Sequence, residues 1–546
     1  MGARTGRDTL TALELLVEQT HTVWNSGPQW VVSLLSLDMA GAFDNASHPR
    51  LLHILHSKGL PATVISWVQS FLTVRQSTIT IRKSTSDPFP IRNGIPQGSP
   101  VNPILFLFYN NELISKCTDS GLKASAIGFV DDVNIITWGE STEKNCRTLS
   151  RLHTECATWA KLHGAAFAPA KYELIHLSRA PKRFNMAADL QIQDHVVSPR
   201  PVIRVLGVQI DSKLRWGPQI RFIQAKMARQ NLALSRVAAS TWGATFPKAR
   251  QVFSAMIRPA ITYGAPIWHS ITDIKPRKSQ TRRCGSIQNT GLRIVTGAFK
   301  ATPLQSLEAE CTIPPIDLYM DSLHASFQLR LLRSKTQPLI DSACLRIRNQ
   351  LRGRRGRRKH YKLTPGQTRK RWVLQRFIDH SNETTLAAQY QNPRLHSSPA
   401  KWLQEQWQRR WSIYTSTIPR HQRNAAQSKS LVYKPLNHHR SLTKAQSSMA
   451  TQIRTEKIGF RAFLSSRHVP GITPECDCGW PRQTAKHVIL YCPSVTNRTQ
   501  MLQEAKTTDY IQLTSHPPAI QAVTRWLIQQ RLLPQFSLAA DLLLNQ

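Results

Sequence analysis

The sequence predicts an α+β chain: an antiparallel β core with packed helices in its first part, followed by a helical block. Three observations carry this. Short apolar runs bounded by turn residues or charges recur at Val31–Leu37, Ala124–Val130, Val133–Trp138 and Tyr172–Leu177, the pattern of buried strands. Thr142–His163 places apolar residues at helical spacing and is expected to pack under that sheet. From Trp216 to about Asn349 helical periodicity takes over, strongest at Ile220–Trp242, Lys248–Ile257, Gln280–Val295 and Ile316–Arg333.

Taken in order, Thr9–Trp24 reads as a first helix and Val31–Leu37 as the strand that follows it. Pro49–Leu60 and Pro61–Val74 read as two helices, each opened by a proline at an early position. Ser77–Arg82 and Phe89–Arg92 alternate like a hairpin, and Pro103–Ile114 reads as a buried helix. Val202–Ile210 adds strand. Farther on, Trp402, Trp407 and Trp411 fall on one side of a helix, so packing is the favoured reading over base stacking.

Carboxylates mark the candidate site. Asp131 and Asp132 stand side by side between two apolar runs, at the tip of a predicted hairpin. Two like charges there are costly unless a cation holds them, and hard divalent cations take carboxylate oxygens. Val31–Leu37 delivers a third carboxylate, Asp38, at its end. Three carboxylates at one point suit a two-metal site for in-line phosphoryl transfer. Between the two segments lies Asn93-Gly94-Ile95-Pro96-Gln97-Gly98-Ser99-Pro100, with glycines for close backbone approach and an amide for a substrate.

Asp38 with Phe43, the run Gly94–Pro100 and Phe129-Val130-Asp131-Asp132 resemble the A, B and C motifs of reverse transcriptases. Their order and spacing are similar to those of non-LTR (LINE-like) retrotransposon enzymes, particularly the fungal ones. Phe167–Glu173 is similar to the family's D motif and Leu206–Asp211 to its E motif. The resemblance implies a right-hand polymerase palm with partial fingers, then a helical thumb that grips template–primer duplex and a small C-terminal zinc module. The expected divisions are 1–30 fingers remnant, 31–216 palm, 217–350 thumb, 351–448 basic connecting region, 449–500 zinc-knuckle region and 501–546 helical tail. Relative to the family, the earlier fingers strands and an upstream endonuclease are missing, so a piece of a longer polyprotein is expected.

The same resemblance implies site roles. Asp38, Asp131 and Asp132 would hold two Mg2+ ions. Phe43 would lie against the sugar and exclude a 2′-hydroxyl, Gln97 and Gly98 would line the nucleotide pocket, and Lys171 would neighbour a phosphate. The implied partners are an RNA template, a DNA primer and deoxynucleoside triphosphates. A ribonuclease H signature is absent from the stretch where fungal relatives carry one.

Composition agrees with a polyanionic partner. Among 546 residues, 72 Lys and Arg against 32 Asp and Glu give a net charge of +40. Arg352–Lys359 is the sharpest basic run and suits either nucleic acid or a nuclear localisation signal. A nuclear protein is expected. No stretch reaches the ~18 apolar residues of a membrane span. Thr9–Val23 is interrupted by Glu14 and Glu18, unlike a secretory signal.

Nine cysteines show no disulfide-like framework. Three of them form, with a histidine, the set Cys476, Cys478, His487 and Cys492, spaced C-x-C-x8-H-x4-C. Three thiolates and an imidazole suit one structural Zn2+, and the set with Ile458–Phe463 before it resembles the zinc knuckle region of fungal LINE-like proteins. Two functions stay open at this point: an RNA-directed DNA polymerase, or a non-catalytic nucleic-acid-binding remnant of a retroelement polyprotein.

Overall fold

A computed structural model describes residues 2, 4–334, 336–351, 362–378, 397–428, 431 and 437–544. The chain forms two compact units, one of residues 1–219, 266–268 and 326–396, the other of 220–265, 269–325 and 397–546. The basic run Arg352–Lys359 lies outside the described residues. No described helix is long and apolar enough to cross a membrane.

In the first unit the elements run α1 (Thr9–Ser26), β1 (Val31–Leu37), β2 (Met39–Ala40), α2 (His48–Ser57), α3 (Ala62–Leu72), α4 (Asn102–Thr118), β3 (Ala124–Phe129), β4 (Asp132–Gly139), α5 (Thr142–His163), β5 (Ala166–Phe167), β6 (Glu173–Leu177), β7 (Val202–Val205) and β8 (Val208–Asp211). The main sheet has the order β6-β1-β4-β3 and is antiparallel throughout. β1 is a nearly continuous apolar run because it is central, pairing Leu34 with Ile136 on one side and Ile175 on the other. α4 and α5 lend Phe106, Tyr109, Leu113, Leu149, Leu152 and Trp159 to a core shared with Leu35, Val133 and Ile135. Each such side chain stabilises the fold by about 1.5–3 kcal/mol.

Two expected elements differ. The hairpin expected over Ser77–Arg82 and Phe89–Arg92 is a pair of two-residue ladders, Gln76–Ser77 with Phe89–Pro90 and Thr80–Ile81 with Ser84–Thr85. Val202–Ile210 is not continuous strand: Leu206 and Gly207 both have positive φ (45° and 85°), the signature of a tight two-residue hairpin turn.

α1 buries two carboxylates rather than exposing them. Glu14 and Glu18 lie one helical turn apart, at 3% and 5% exposure. Arg369, on α10 (Pro365–Phe377), pairs with Glu14 and also donates to the Gln328 amide oxygen (3.1 Å) and the Pro266 carbonyl (2.6 Å). Glu18 accepts from the Gly366 N–H (2.8 Å) and the Thr364 hydroxyl, so its carboxyl oxygens cap the N-terminus of α10. α9 (Thr336–Leu351) packs against α1.

The second unit is helical. α6 (Gly217–Val237) and α7 (Ile274–Thr296) carry the sequence expectation, with α7 starting earlier than expected because Pro276 falls in its first turn, where no backbone donor is needed. The helix expected over Lys248–Ile257 is present, as α-helix over Phe246–Val252 continued by a π turn at Phe253–Ile257. α8 (Ile316–Arg333) matches its expected bounds. Trp407 and Trp411 of α11 (Pro399–Ser416) are buried with Leu318 and Leu431, and Trp402 packs against them, so all three are packing residues. A C-terminal core joins α12 (Lys444–Arg454), α13 (Ala485–Leu490) and α14 (Pro517–Gln529) through Met449, Ile453, Ile489, Val523 and Leu527.

Burial first, and then the charge of Glu14, pushes the Glu18 carboxyl from 4.5 up to about 7. The folded state therefore holds a proton that the unfolded chain releases at lower pH, and stability falls as pH rises between those values. Arg369 is the cation facing Glu18, and Cys344 lies close by. Glu18→Gln is expected to flatten the pH dependence of urea unfolding between about 4.5 and about 7, against a downward slope in the parent chain.

Candidate active site and metal centre

The hairpin β3–β4 closes with only two residues, Val130 and Asp131, between the paired Phe129 and Asp132. Val130 has φ 57°, a conformation a β-branched residue rarely adopts. Such a residue costs of order 1–3 kcal/mol and persists where its surroundings over-determine it. Here Asn110 of α4 does so, donating from Nδ2 to the Val130 carbonyl at 2.5 Å. The turn sets Asp131 and Asp132 side by side at the sheet end.

Asp38 reaches the same point from β1. The Ala168 N–H donates to its carbonyl (3.0 Å), and β2 pairs with β5. Partial burial, and after it the like charges of Asp131 and Asp38, push the Asp132 carboxyl above the ordinary carboxylate range. Asp132 keeps an exposed face, so water reaches the cluster. The three carboxylates expected from sequence are thus brought together, and hard oxygen donors in mutual repulsion fit divalent cations. Lys171, carried by the turn after β5, places Nζ 3.0 Å from Asp38 Oδ2. It stands beside a carboxylate rather than apart from the cluster.

The other named residues are held by one loop-to-loop seam. The Ile95 N–H donates to the Phe43 carbonyl (2.7 Å) and the Gly94 N–H to the Ala46 carbonyl (2.8 Å). The Gly94 carbonyl in turn accepts from Arg75 Nη1 (2.6 Å) and contacts His48 Nε2 (2.8 Å). Gln97 Nε2 reaches toward Asp44 Oδ1 at 3.4 Å. The Phe43 ring packs on Phe106 with centroids 4.9 Å apart. Sequence reasoning missed Asp44, His48, Arg75 and Asn110. Only Asn110 left a trace, as a polar residue inside a helix expected to be buried.

The C-terminal set converges as well. The ligand atoms of Cys476, Cys478, His487 and Cys492 all lie within 4.8 Å of one another. Cys476 Sγ is 3.7 Å from Cys492 Sγ, and Cys478 Sγ is 3.3 Å from His487 Nε2. Such separations match the edges of a tetrahedron with metal–sulfur bonds of about 2.3 Å. A turn closed by Gly479 N–H to the Cys476 carbonyl (2.9 Å) brings the first two thiols together. α13 starts at a Thr484 cap that accepts from the His487 N–H (3.2 Å), and Trp480 stacks on the His487 ring (5.2 Å, 12°). This donor set can hold one metal ion.

Comparisons with known proteins bear on the first unit. Residues 1–210 match the family model described as reverse transcriptase (RNA-dependent DNA polymerase). A probable RNA-directed DNA polymerase from transposon BS of Drosophila melanogaster is 23% identical over 305 residues, covering 54% of this chain and 32% of that one. A probable RNA-directed DNA polymerase from transposon X-element of the same organism is 24% identical over 304 residues, covering 54% and 31%. The RNA-directed DNA polymerase from mobile element jockey of Drosophila melanogaster is 20% identical, covering 58% and 34%. The chain spans about a third of the length of these curated relatives. Among solved structures, apo telomerase from Candida tropicalis has a TM-score of 0.31 at 11% identity, over 61% of this chain and 56% of that chain.

Two glycines of the seam separate cleanly. A Cβ on Gly94 (φ 83°) would stand 2.5 Å from the Asp44 carbonyl oxygen, whereas one on Gly98 (φ 98°) meets nothing within 4 Å. Gly94→Ala is expected to lower stability in urea unfolding by about 2–3 kcal/mol. Gly98→Ala, which meets only the backbone cost, is expected to lower it by about 1 kcal/mol.

Proposed function

We propose that this chain, which carries a LINE-like reverse transcriptase domain in residues 1–210, is an RNA-directed DNA polymerase of a non-LTR retrotransposon. The convergence of Asp38, Asp131 and Asp132 at one sheet end is the observation that carries the reading. Its partners are an RNA template, a DNA primer and deoxynucleoside triphosphates. The net charge of +40 supports a polyanionic partner. Its place of work is the nucleus.

Asp38, Asp131 and Asp132 would hold two Mg2+ ions, whose chemistry there would be to lower the pKa of the primer 3′-hydroxyl and to stabilise the charge of the leaving pyrophosphate. The protein's part is positioning, since phosphoryl transfer asks little covalent chemistry of side chains. Val130, clamped by Asn110, fixes the two hairpin carboxylates. Lys171, with Nζ 3.0 Å from Asp38 Oδ2, would neighbour a phosphate of the incoming triphosphate. Phe43, backed by Phe106, presents a rigid ring to the sugar and excludes a 2′-hydroxyl. Gln97 and Gly98 line the nucleotide pocket on the loop seamed to Asp44. In the C-terminal module the metal is Zn2+, held by three thiolates and an imidazole in a closed, structural site.

Asp131→Asn is expected to abolish primer extension on an RNA template while RNA binding stays within about twofold, because one exposed carboxylate contributes little to phosphate contacts. Retained extension in that variant would sink the assignment. Phe43→Val is expected to admit ribonucleotides, read as ribonucleotide incorporation at Mg2+ concentrations that support deoxynucleotide addition. A strong zinc chelator is expected to unfold the C-terminal module, seen as new protease cleavage confined to about residues 449–500.

A further inference from the structure

The second unit contains a cavity that the polymerase reading does not use. It measures about 810 Å³ and lies among the C-terminal end of α6, one face of α7 and the segments carrying Gln452 and Phe536. A second cavity of about 420 Å³ continues it along α6 and α7, sharing Ser235, Ser286, Thr290 and Ile294 as walls. Together they form a groove with one deep end.

Its chemistry is specific. No Asp or Glu lines either cavity. Hydrogen-bonding capacity around the larger cavity is unmet: Gln452 is 3% exposed and its Oε1 has no partner, and the buried Asn289 Oδ1 and Arg293 Nε are likewise unpaired among the described residues, although the Arg293 Nη atoms donate to the Asn289, Lys300 and Thr302 carbonyls. Buried polar atoms of this kind ordinarily find partners, so three around one cavity point to a polar guest. Phe299, half-buried at the wall, supplies aromatic surface beside them. The walls are also braced. Gln452 Nε2 donates to the Gly297 carbonyl (2.9 Å), and Lys444 Nζ caps the end of α7 at the Ile294 and Val295 carbonyls (2.9 and 2.6 Å). Gly297 allows this approach, since a Cβ there would stand 2.0 Å from Ser448 Oγ.

The helices that flank the groove are cationic. α6 carries Arg221, Lys226, Arg229 and Arg236, and α7 carries six Lys and Arg, with no acidic residue in either. A guest with amide-like donors and acceptors, a flat face for aromatic contact and a polyanionic chain on either side is an unpaired nucleotide in single-stranded nucleic acid.

We propose that the α6–α7 groove binds a single strand and seats one flipped base in the 810 Å³ cavity, against Gln452, Asn289 and Phe299. This is a nucleic-acid site in the second unit, distinct from the carboxylate cluster of the first. It does not rest on the catalytic carboxylates.

The test fills the cavity from its exposed wall. Ser286 and Thr290 are solvent-exposed on α7, so Ser286→Trp and Thr290→Trp occupy the space without touching the core. Binding of the full chain to fluorescein-labelled single-stranded RNA, single-stranded DNA of the same sequence and blunt duplex RNA is measured by anisotropy. Both tryptophan variants are expected to weaken single-strand binding about tenfold, the scale of one lost base contact, and to leave the duplex unchanged. Gln452→Leu is expected to reduce discrimination among homopolymers with a smaller loss of affinity. Losses on RNA and DNA alike assign the base as the feature read, and losses on RNA alone add the 2′-hydroxyl. Unchanged single-strand binding in both filled variants, or equal losses on single strand and duplex, overturns the proposal. Asp131→Asn, which tests the polymerase reading, is expected to behave as the parent chain in this assay, so the two readings fail separately.

Discussion

Repulsion among Asp38, Asp131 and Asp132 is the constraint around which the first unit is built. Two unit charges 4 Å apart cost about 1 kcal/mol in water and about 4 kcal/mol where the effective dielectric is near 20. Left to themselves such groups would move apart or take up protons, and the raised affinity of Asp132 for a proton comes first from its partial burial and then from that repulsion. What holds them is rigid backbone: a central strand paired on both sides, a two-residue turn with a valine at positive φ, and an asparagine side chain locked onto that turn. Local strain and a fully buried sheet are complementary here, because only a scaffold of that stiffness keeps an unfavourable turn in place.

The same logic extends outward through backbone contacts rather than side-chain ones. The glycine loop that follows α3 donates two backbone N–H groups to carbonyls of the loop after Asp38, and Arg75 and His48 converge on one carbonyl of that seam. Phe43 and Gln97 thereby inherit their positions from main chain, which moves less than a long side chain would. The C-terminal Cys and His residues follow the same plan, set by a glycine turn and a capped helix rather than by extended loops.

The strands and the carboxylates were legible because they are local: β1, β3 and β4 are apolar runs, and the acids sit at their ends. The clustering of the three cysteines and His487 was legible from spacing together with the resemblance, and the helices of the second unit from periodicity. What stayed hidden is non-local. Glu14 and Glu18 read as charges interrupting an amphipathic helix, but their partner Arg369 lies some 350 positions away, so no window of sequence contains the reason for their burial. The turn within Val202–Ile210 was missed because Leu206 is not a turn former, and only Gly207 marks it. Lys171 was placed near phosphate by resemblance, and its contact with Asp38 depends on how β2 meets β5, which periodicity does not report.

Lys171 also bears on the order of events in the life of the chain. Its ammonium is exposed and its pairing with Asp38 is worth little, as surface ion pairs are. That weakness is useful. A tethered cation supplies partial charge compensation from the moment the sheet closes, so the acidic cluster can mature while free divalent ion is scarce. An ion pair held this loosely costs little to displace.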